Sequence, residues 1–434
     1  MERYWNKTIE TMNREQIQAL QLEKLRATVQ NVYTHVPYYR KKMQEKGIVP
    51  EDIKTLDNLS NLPITTKQDL RNTYPFGMFA VPMEDIIRIH ASSGTTGKQT
   101  VVGYTRRDLD IWAECMARCL VMEDANTSSR VQIAYGYGLF TGGLGAHYGV
   151  EKLGATVIPA SSGNTQRQIT MLIDFGVTHL YCTPSYALNI AEVMREMGHT
   201  KDEMKLVAGS FGAEPWSNAI RTEIESLLGL RAHDIYGLSE IMGPAVSHEC
   251  RHQNGLHIWE DCFIAEITNP DTGEPVREGE AGDLVITTIN KEGIPLIRYK
   301  TRDICTLNYE PCECGRTHVR MSKPAGRTDD MLIIRGVNVF PSQIESALLS
   351  IGEVQPHYQI LVDRVNNLDT LTIEIELNDE MFSDNVKGIE EFEKKVSRQI
   401  NSVLGINAKI HLVEPKSIAR SEGKAKRVID RRNI

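Results

Sequence analysis

The chain has 434 residues, which at roughly 150 residues per domain predicts two or three domains. Lys and Arg number 49 against 57 Asp and Glu, a net charge of −8, and 41% of the residues are hydrophobic. This composition excludes disordered and fibrous proteins. The acidic balance also argues against a nucleic-acid partner, because general nucleic-acid binders carry a basic face.

The N-terminus and the longest uncharged run indicate whether the protein is secreted or inserted into a membrane. The first ten residues carry several charged side chains where a signal peptide would have an apolar core. The run Val131–Val150 is long enough to span a membrane, but its six glycines predict a strand followed by a glycine-rich turn. Eight cysteines without a secretory signal indicate reduced thiols or metal ligands. We therefore expect a cytoplasmic protein with no membrane partner.

The first ninety residues predict helices, with a polar helix at Gln16–Tyr33 and a capped helix start at Thr65–Asp69. From Val131 onward, short apolar runs alternate with helix-length segments, which predicts a mostly parallel sheet covered by helices and therefore an α/β fold. The runs are Val131–Tyr135, Thr156–Pro159, His179–Cys182, Lys205–Gly209 and His233–Ile235.

The pattern changes near Phe263. Phe263–Thr268 and Asp283–Thr288 predict strands of a β-rich subdomain. After Gly326, further strands and helices predict a compact α+β domain of about a hundred residues, in which Ser342 and Glu345 are spaced as a capping box. We predict a body of residues 1–326, a hinge near 326–330 and a small C-terminal domain of residues 327–434.

A loop rich in hydroxyls and glycine follows the strand-like segment Ile86–His90. Its glycines allow a tight turn, and its amides, hydroxyls and lysine suit phosphate oxygens. A Walker loop needs four residues between the glycines and Ser or Thr after the lysine, whereas here two residues intervene and Gln99 follows. Taken alone, the loop is also compatible with an ordinary surface turn. It comprises Ser92, Ser93, Gly94, Thr95, Thr96, Gly97 and Lys98.

Further polar motifs follow the predicted strands and continue into the C-terminal domain. They are Gly212-Ala213-Glu214-Pro215, Tyr236-Gly237-Leu238-Ser239-Glu240, Tyr299-Lys300-Thr301-Arg302-Asp303, Gly326-Arg327-Thr328-Asp329-Asp330 and Ser421-Glu422-Gly423-Lys424. The first two lie at carboxyl ends of parallel strands, where α/β sheets place ligands. In order and spacing the motifs resemble the acyl-adenylate-forming (ANL) superfamily. Within it, the whole chain resembles the phenylacetate–coenzyme A ligase family.

This resemblance implies an acid–thiol ligase. It would join an arylacetic acid, phenylacetate first among them, to coenzyme A through an acyl-adenylate, consuming ATP with Mg²⁺ and releasing AMP and pyrophosphate. It also implies a homodimer, and a mobile C-terminal domain that acts as a lid and turns about Asp329. One alternative is an adenylylating synthetase acting on another carboxylate or on a deazaflavin coenzyme without thioester formation. Another is a binding protein without turnover, against which the intact Glu240, Asp303 and Lys424 argue.

The resemblance also implies roles for single residues. The 92–98 loop would hold the β- and γ-phosphates, Glu240 would bind Mg²⁺, and Tyr236 would stack on adenine. Asp303 would accept hydrogen bonds from the ribose, and Lys424 would stabilise charge at the α-phosphate. Taken singly, Asp303 and Lys424 are also compatible with surface residues. The other nucleotide residues are Gly212, Ala213, Glu214, Pro215, Asp234, Ile235, Gly237, Ser239 and Arg327.

The segment Tyr135–Phe140 interleaves aromatic residues with glycines after a predicted strand. This pattern suits an apolar slot for a flat ring, and it equally suits aromatic packing at a strand end. The family resemblance places six residues around the aryl group: Tyr135, Phe140, Gly212, Ala213, Ile235 and Pro244.

Metal-ligating residues concentrate between His248 and His318, which include five of the eight cysteines and four of the twelve histidines. Cys312 and Cys314 lie on one turn, and Cys250 and His257 come from an earlier loop. Three cysteines and one histidine suit a closed structural Zn²⁺ site, with free thiols as the alternative. The other candidates for the fourth ligand are His252, His318 and His248, whereas Cys262 and Cys305 suit the core.

Overall fold

The structure is a computed structural model that describes residues 4–92, 99–328, 330, 332–335, 337–351, 354, 357–365, 368–377, 386–421 and 425–432. The N-terminal helices are α1 (Lys7–Glu10), α2 (Arg14–His35), α3 (Pro37–Glu45) and α4 (Lys67–Asn72). Thr66 caps α4, and its side chain and that of Asp69 form a capping box. The predicted helix start at this position is therefore confirmed.

A nine-stranded sheet forms the centre of the body. Its parallel strands are β3 (Arg130–Ile133), β4 (Thr156–Ile158), β5 (His179–Cys182), β6 (Ala208–Gly212) and β7 (Arg231–Leu238). They pair in the order β7-β6-β5-β3-β4, which confirms the predicted parallel sheet. The helices that alternate with these strands are α5 (Arg106–Met122), α6 (Gly142–Leu153), α7 (Thr165–Asp174), α8 (Pro184–Glu196) and α9 (Asn218–Leu228).

An antiparallel half that the sequence pattern did not predict continues this sheet beyond β7. Its strands are β8 (Gly243–Glu249), β9 (Leu256–Ile258), β14 (Arg320–Met321) and β13 (Leu307–Asn308), in that order. A hairpin of β1 (Arg88–Ala91) with β2 (Val101–Tyr104) precedes it in the chain. The β-rich subdomain is the antiparallel sheet β10 (Phe263–Thr268), β11 (Gly282–Thr288) and β12 (Tyr299–Cys305).

The glycine-rich part of the run Val131–Val150 is a helix, so the predicted turn is wrong there. Helix α6 begins at Gly142 and packs closely on α5 because its glycines leave room. A Cβ at Gly145 would lie 2.3 Å from the Trp112 ring, and one at Gly149 would lie 2.2 Å from the Met116 Cβ. The glycines thus permit close helix packing. Among the described residues, no helix is both long and apolar enough to cross a membrane.

The C-terminal residues form their own layer of helix on sheet. The elements are β15 (Leu332–Ile334), β16 (Val337–Val339), α10 (Pro341–Leu349), β17 (Tyr358–Val365), β18 (Leu368–Glu376), α11 (Val386–Leu404), β19 (Lys409–Val413) and β20 (Val428–Asp430). A separate apolar cluster between residues 332 and 410 forms the core of this layer. The predicted Ser342–Glu345 capping box is wrong: Phe340 is the N-cap, and the Ser342 hydroxyl donates to the Ala325 carbonyl.

Candidate active site

At the carboxyl ends of β6 and β7 the backbone passes very close to itself. Gly212 of β6 pairs with Ile235 of β7, and a Cβ at Gly212 would lie 2.2 Å from the Ile235 carbonyl oxygen. A Cβ at Gly237 would lie only 1.9 Å from the carbonyl oxygen of Gly243. Both positions therefore require glycine. Ala213 follows with a positive φ of 69°, so the chain turns sharply as it leaves the sheet.

Three of the predicted nucleotide residues meet beside this turn. The Tyr236 hydroxyl donates to an Asp303 carboxylate oxygen at 2.6 Å, and a guanidinium nitrogen of Arg327 lies 3.4 Å from the other oxygen. Asp303 and Arg327 also form an isolated antiparallel β-bridge. Burial, followed by the nearby charge of Asp303, raises the pKa of Tyr236 well above its usual value. The phenol therefore stays protonated and keeps donating to the carboxylate.

Glu240 lies in the turn after β7 and is 5% exposed. Its carboxylate is 3.6 Å from the ammonium of Lys67, which is the first residue of α4. Behind the turn, the Lys291 ammonium donates to the carbonyl oxygens of Glu240 at 3.2 Å and Ile241 at 2.7 Å. Burial lowers the pKa of Lys291 to about 8. One lysine therefore faces the carboxylate, and a second holds its backbone.

Glu214 differs from its neighbours because both of its carboxylate oxygens accept backbone hydrogen bonds. One accepts from the Ser185 amide at the start of α8, at 2.8 Å. The other accepts from the Ala425 amide, also at 2.8 Å. Glu214 therefore joins the loop after β6 both to α8 and to the chain that directly follows residues 422–424.

The remaining predicted nucleotide residues lie close to these groups. Asp234 is 3.5 Å from the Lys323 ammonium, and burial raises the pKa of Asp234 to about 6. The Ser239 hydroxyl is 3.1 Å from that of Thr141. Pro215 lines a crevice between the body and the C-terminal residues, together with Glu214, Arg327 and Lys426.

The predicted aryl-pocket residues form a continuous set of neighbours. The Tyr135 hydroxyl donates to the Cys182 carbonyl at 2.7 Å and accepts from the Gly212 amide at 3.1 Å. The rings of Phe140 and Tyr135 both approach Gly142, at 2.7 Å and 3.5 Å from the position that a Cβ would take. Phe140 is 46% exposed and lies at the open end of the set.

Ile235 and Pro244 are the remaining predicted residues of the aryl pocket. Ile235 is buried and pairs with Gly212, next to Ala213. The Pro244 Cα lies 2.8 Å from the position that a Cβ would take at Gly237. The polar atoms of Tyr135 are engaged by the fold, so this set offers chiefly apolar surface to a ligand.

Four buried side chains converge into one cluster, Cys250, His257, Cys312 and Cys314. His257 lies on strand β9, so its predicted placement on a loop is wrong, whereas the three cysteines lie outside the strands. Their potential ligand atoms all lie within 4.8 Å of one another. The sulfurs of Cys250 and Cys312 are 3.7 Å apart, and the Cys314 sulfur is 3.5 Å from Nε2 of His257. Tetrahedral Zn²⁺ with Zn–S bonds of about 2.3 Å and Zn–N bonds of about 2.0 Å needs separations of about 3.5–3.8 Å.

The surroundings of the cluster suit a metal. Burial lowers the pKa of His257, which favours the neutral imidazole that metals bind. Its Nδ1 lies 3.3 Å from the His318 carbonyl oxygen, a contact that orients the ring through the atom that faces away from the cysteines. The Arg316 amide donates to the Cys314 sulfur at 3.4 Å. The chemistry and spacing of the donor set therefore fit a closed four-ligand site.

The other candidate ligands have different partners. His248 lies 2.6 Å from the Ser210 hydroxyl, and His252 lies 3.2 Å from a Glu313 carboxylate oxygen. Nδ1 of His318 accepts from the Glu260 amide at 2.9 Å. The two cysteines expected in the core, Cys262 and Cys305, are 2% and 1% exposed.

Several predicted residues lie outside the described part of the chain: Ser93, Gly94, Thr95, Thr96, Gly97, Lys98, Asp329 and Lys424. Ser92 is described and pairs with Thr100 across the ends of the β1–β2 hairpin. The Ser92 amide donates to the Thr100 carbonyl at 3.0 Å, and the Thr100 amide donates to the Ser92 hydroxyl at 3.2 Å. The hairpin thus brings the two ends of the loop together.

Sequence reasoning missed both lysines beside Glu240. The sequence gives a weak indication that Lys67 has a role beyond the helix, because it follows a clear helix cap and a lysine at a helix N-terminus is electrostatically unfavourable. Lys291 carries no local signal, because its hydrogen-bonding partners are 50 and 51 residues away in the chain.

Comparison with known proteins identifies the family. The family model for AMP-binding enzymes matches residues 9–290, and the model for the AMP-binding enzyme C-terminal domain matches residues 336–432. The chain is 49% identical to the phenylacetate–coenzyme A ligase of Thermus thermophilus over 438 residues, covering 98% of each protein.

Crystal structures of a 2-hydroxyisobutyryl-CoA ligase share the fold. The form in the postadenylation state, in complex with R3-HIB-AMP, superposes with a TM-score of 0.94 at 30% identity, covering 99% of this chain and 93% of that one. The form in the thioesterification state, in complex with 2-HIB-AMP and CoA, reaches 0.74 at 31% identity, covering 100% and 93%. The chain therefore belongs to the AMP-binding enzyme family, and within the acyl-adenylate-forming superfamily it is a member of the phenylacetate–coenzyme A ligase family.

Proposed function

We propose that this enzyme ligates phenylacetate, or a close arylacetic acid, to coenzyme A with consumption of ATP. The observation that carries the proposal is the 49% identity to a phenylacetate–coenzyme A ligase across nearly the whole of both chains. An adenylylating synthetase that forms no thioester is not favoured by this likeness. The apolar set around Tyr135 and Phe140 suits an aryl group.

The reaction has two half-reactions at one site. First the acid's carboxylate attacks the α-phosphate of ATP, forming an acyl-adenylate and releasing pyrophosphate. Lys424 stabilises the charge that develops at phosphorus, and Asp303, held by Tyr236, accepts hydrogen bonds from the ribose. Then the thiolate sulfur of coenzyme A attacks the acyl carbon, and AMP leaves with the electrons of the broken anhydride bond.

The carboxylate of Glu240 is the group that would hold Mg²⁺, since a hard cation prefers carboxylate oxygen and phosphates. Bound there, the ion would neutralise phosphate charge during adenylate formation. The hydrogen bonds from Lys291 fix the backbone of this turn, and Lys67 adds a second cation beside the carboxylate. Together these contacts prepare an electropositive pocket for a polyphosphate.

Residues 327–434 act as the lid, with a hinge near 326–330. Their separate apolar core supports this boundary, because a domain with its own core can move as one body. Closure of the lid would shield the reactive anhydride from water. We further propose that Cys250, His257, Cys312 and Cys314 hold a structural Zn²⁺, which would tie the turn at Cys312–Cys314 to Cys250 and to strand β9.

The proposal includes a cytoplasmic homodimer. The eight cysteines are free and buried, which suits a reducing compartment. The dimer follows from the family resemblance alone, and light scattering on the purified protein would give the mass in solution.

Incubation with ATP, Mg²⁺, coenzyme A and a panel of aryl acids tests the overall activity. We expect AMP and an acyl-CoA thioester in equal amounts with phenylacetate, and slower turnover with aliphatic acids that fill less of the apolar set. Pyrophosphate release without any thioester would favour the adenylylating alternative, and inactivity with every acid would reject the ligase.

Glu240→Gln and Asp303→Ala should separate chemistry from binding. Glu240→Gln removes negative charge and keeps the shape, so adenylate formation should fall by about 10²-fold or more while AMP binding persists. Asp303→Ala should weaken the binding of ATP and of AMP to a similar extent, because both nucleotides present the same ribose. Isothermal titration with AMP and pyrophosphate-release kinetics measure the two effects. Normal turnover by Glu240→Gln would remove the magnesium assignment.

Lys424→Ala should affect the first half-reaction only. Loss of a charge contact in a water-poor site costs about 3–4 kcal/mol, a factor of about 10²–10³ in rate. With chemically prepared phenylacetyl-adenylate and coenzyme A, the variant should form thioester at near wild-type rate. Asp329→Pro should instead spare adenylate formation and block thioester formation, because proline fixes φ at the hinge. Equal slowing of both steps by Lys424→Ala would contradict the moving lid.

Cys312→Ser should remove the metal. The wild-type protein should contain about one zinc per chain, measured by mass spectrometry after dialysis against metal-free buffer, and the variant should contain little. Because structural zinc contributes on the order of 10 kcal/mol to small motifs, the melting temperature should fall more than the affinity for AMP. Cys305→Ser, which changes a core cysteine outside the cluster, serves as the control and should retain zinc. Wild-type protein without zinc would reject the site.

A further inference from the structure

A partly buried ion-pair cluster joins the body to the lid residues that precede the segment 422–424. Arg420 donates two hydrogen bonds to Glu192 of α8, at 2.8 and 3.0 Å. It donates two more to Glu376 of β18, at 2.8 and 2.7 Å. Such bidentate contacts fix the orientation of both partners. The Arg420 guanidinium is thus held between one carboxylate of the body and one of the lid.

The burial of this cluster distinguishes it from ordinary surface pairs. The side chains of Arg420 and Glu192 are 19% and 20% exposed, and that of Glu376 is 4% exposed. The hydrogen bonds from Arg420 lower the pKa of Glu192, so the carboxylate remains charged. His357 lies 3.9 Å from Glu192, but burial lowers its pKa to about 4, so Arg420 is the cation of this pair.

Helix α8 is linked to the chain on both sides of residues 422–424, directly on one side and through Glu214 on the other. Arg420 precedes that segment and reaches Glu192 in the third turn of α8. Ala425 follows it and donates to Glu214, whose other oxygen accepts from Ser185 in the first turn of α8. Both flanks of the segment are therefore connected to one helix of the body, on one side through Glu192 and on the other through Glu214.

A rotation of the lid would affect the two carboxylates around Arg420 differently. Glu376 and Arg420 both belong to the lid, so their contact would persist through the motion. Glu192 belongs to the body, so its contact would break. The present arrangement superposes far better on the postadenylation form than on the thioesterification form of the related ligase, so the Glu192–Arg420 contact belongs to the former arrangement.

We propose that Glu192 is a positioning residue for adenylate formation: by binding Arg420 across the domain boundary, it holds the lid in the orientation that adenylate formation uses. This inference rests on the proposed function, in particular on the role of Lys424 in a moving lid. Glu192 itself touches neither ATP nor the acid. Its effect is confined to the half-reaction that takes place while the lid is in this orientation.

Glu192→Gln tests the proposal in separate half-reaction assays. Pyrophosphate release without coenzyme A should slow by about 10- to 100-fold, since small misplacement of a reacting group can cost about 10²-fold. Thioester formation from prepared phenylacetyl-adenylate should stay at or above the wild-type rate. Glu192→Asp, which keeps the charge, should recover part of the loss in the first assay.

Glu196→Gln is the matched control. Glu196 lies one turn further along α8 and pairs with Lys416, but these side chains are 48% and 63% exposed. Exposed pairs contribute little, so neither half-reaction should change. Adenylation at the wild-type rate in Glu192→Gln, or equal slowing of both steps, would overturn the positioning role.

Lys424→Ala in the same assays separates this inference from the function on which it rests. If Lys424→Ala loses adenylation while Glu192→Gln keeps it, the ligase mechanism stands and the positioning role is wrong. If Lys424→Ala also keeps adenylation, the role of the lysine itself is wrong, and the inference about Glu192 fails with it.

Discussion

The parallel pairing of β6 with β7 is the constraint on which the candidate site depends. It brings the turns that follow Gly212 of β6 and Leu238 of β7 to one edge of the sheet, so that residues from two motifs become neighbours. The approach is so close that a Cβ at Gly212 would lie within 2.2 Å of a carbonyl oxygen. Glycine there is therefore a packing requirement, and the positions of Glu214, Tyr236 and Glu240 follow from it.

Paired charges are a prominent feature of this edge. Glu240 lies between two lysines, and Asp303 lies between a phenol and a guanidinium. Buried or half-buried charges of this kind are costly unless they are paired. A bound nucleotide would exchange some of these partners for its own phosphates and ribose. The site is therefore organised for a highly charged ligand before that ligand arrives.

The boundary between the body and the proposed lid has a different character. The contacts that involve Arg420, Glu192 and Glu214 are polar and directional, whereas the apolar core of the C-terminal part is separate from the clusters of the body and Leu349 is the residue of that part that packs against one of them, among the described residues. Interfaces of this kind can open without exposing a large hydrophobic surface. An enzyme that uses one active site for two reactions needs a boundary of this kind. Its contacts must be specific enough to define one orientation of the two parts, and weak enough to break when that orientation changes.

Much of the chemistry could be read from the sequence, because it depends on residue types and on order along the chain. The alternation of strands and helices predicted the parallel sheet, and the concentration of cysteine and histidine predicted the four members of the metal-type cluster. The ordered motifs indicated the family. By contrast, strand β8 of the antiparallel half was missed because its sequence contains no continuous apolar run, and β9, β13 and β14 because they have only two or three residues. Helix α6 was missed because its glycines are unfavourable for an isolated helix. Gly145 and Gly149 of this helix are explained by the close approach of Trp112 and Met116, which lie on α5.

Only the tertiary structure determined which charged side chains lie next to one another. Lys291 is 51 residues from Glu240, and Arg420 is 228 residues from Glu192, so no local pattern marks either contact. The two oxygens of Glu214 are likewise engaged by amides that are 29 and 211 residues away. A sequence determines which side chains can bind phosphate, metal or carboxylate, because that chemistry belongs to each residue. Only folding determines which of them lie within 3 or 4 Å of one another, because distance in space depends on the packing of the whole chain.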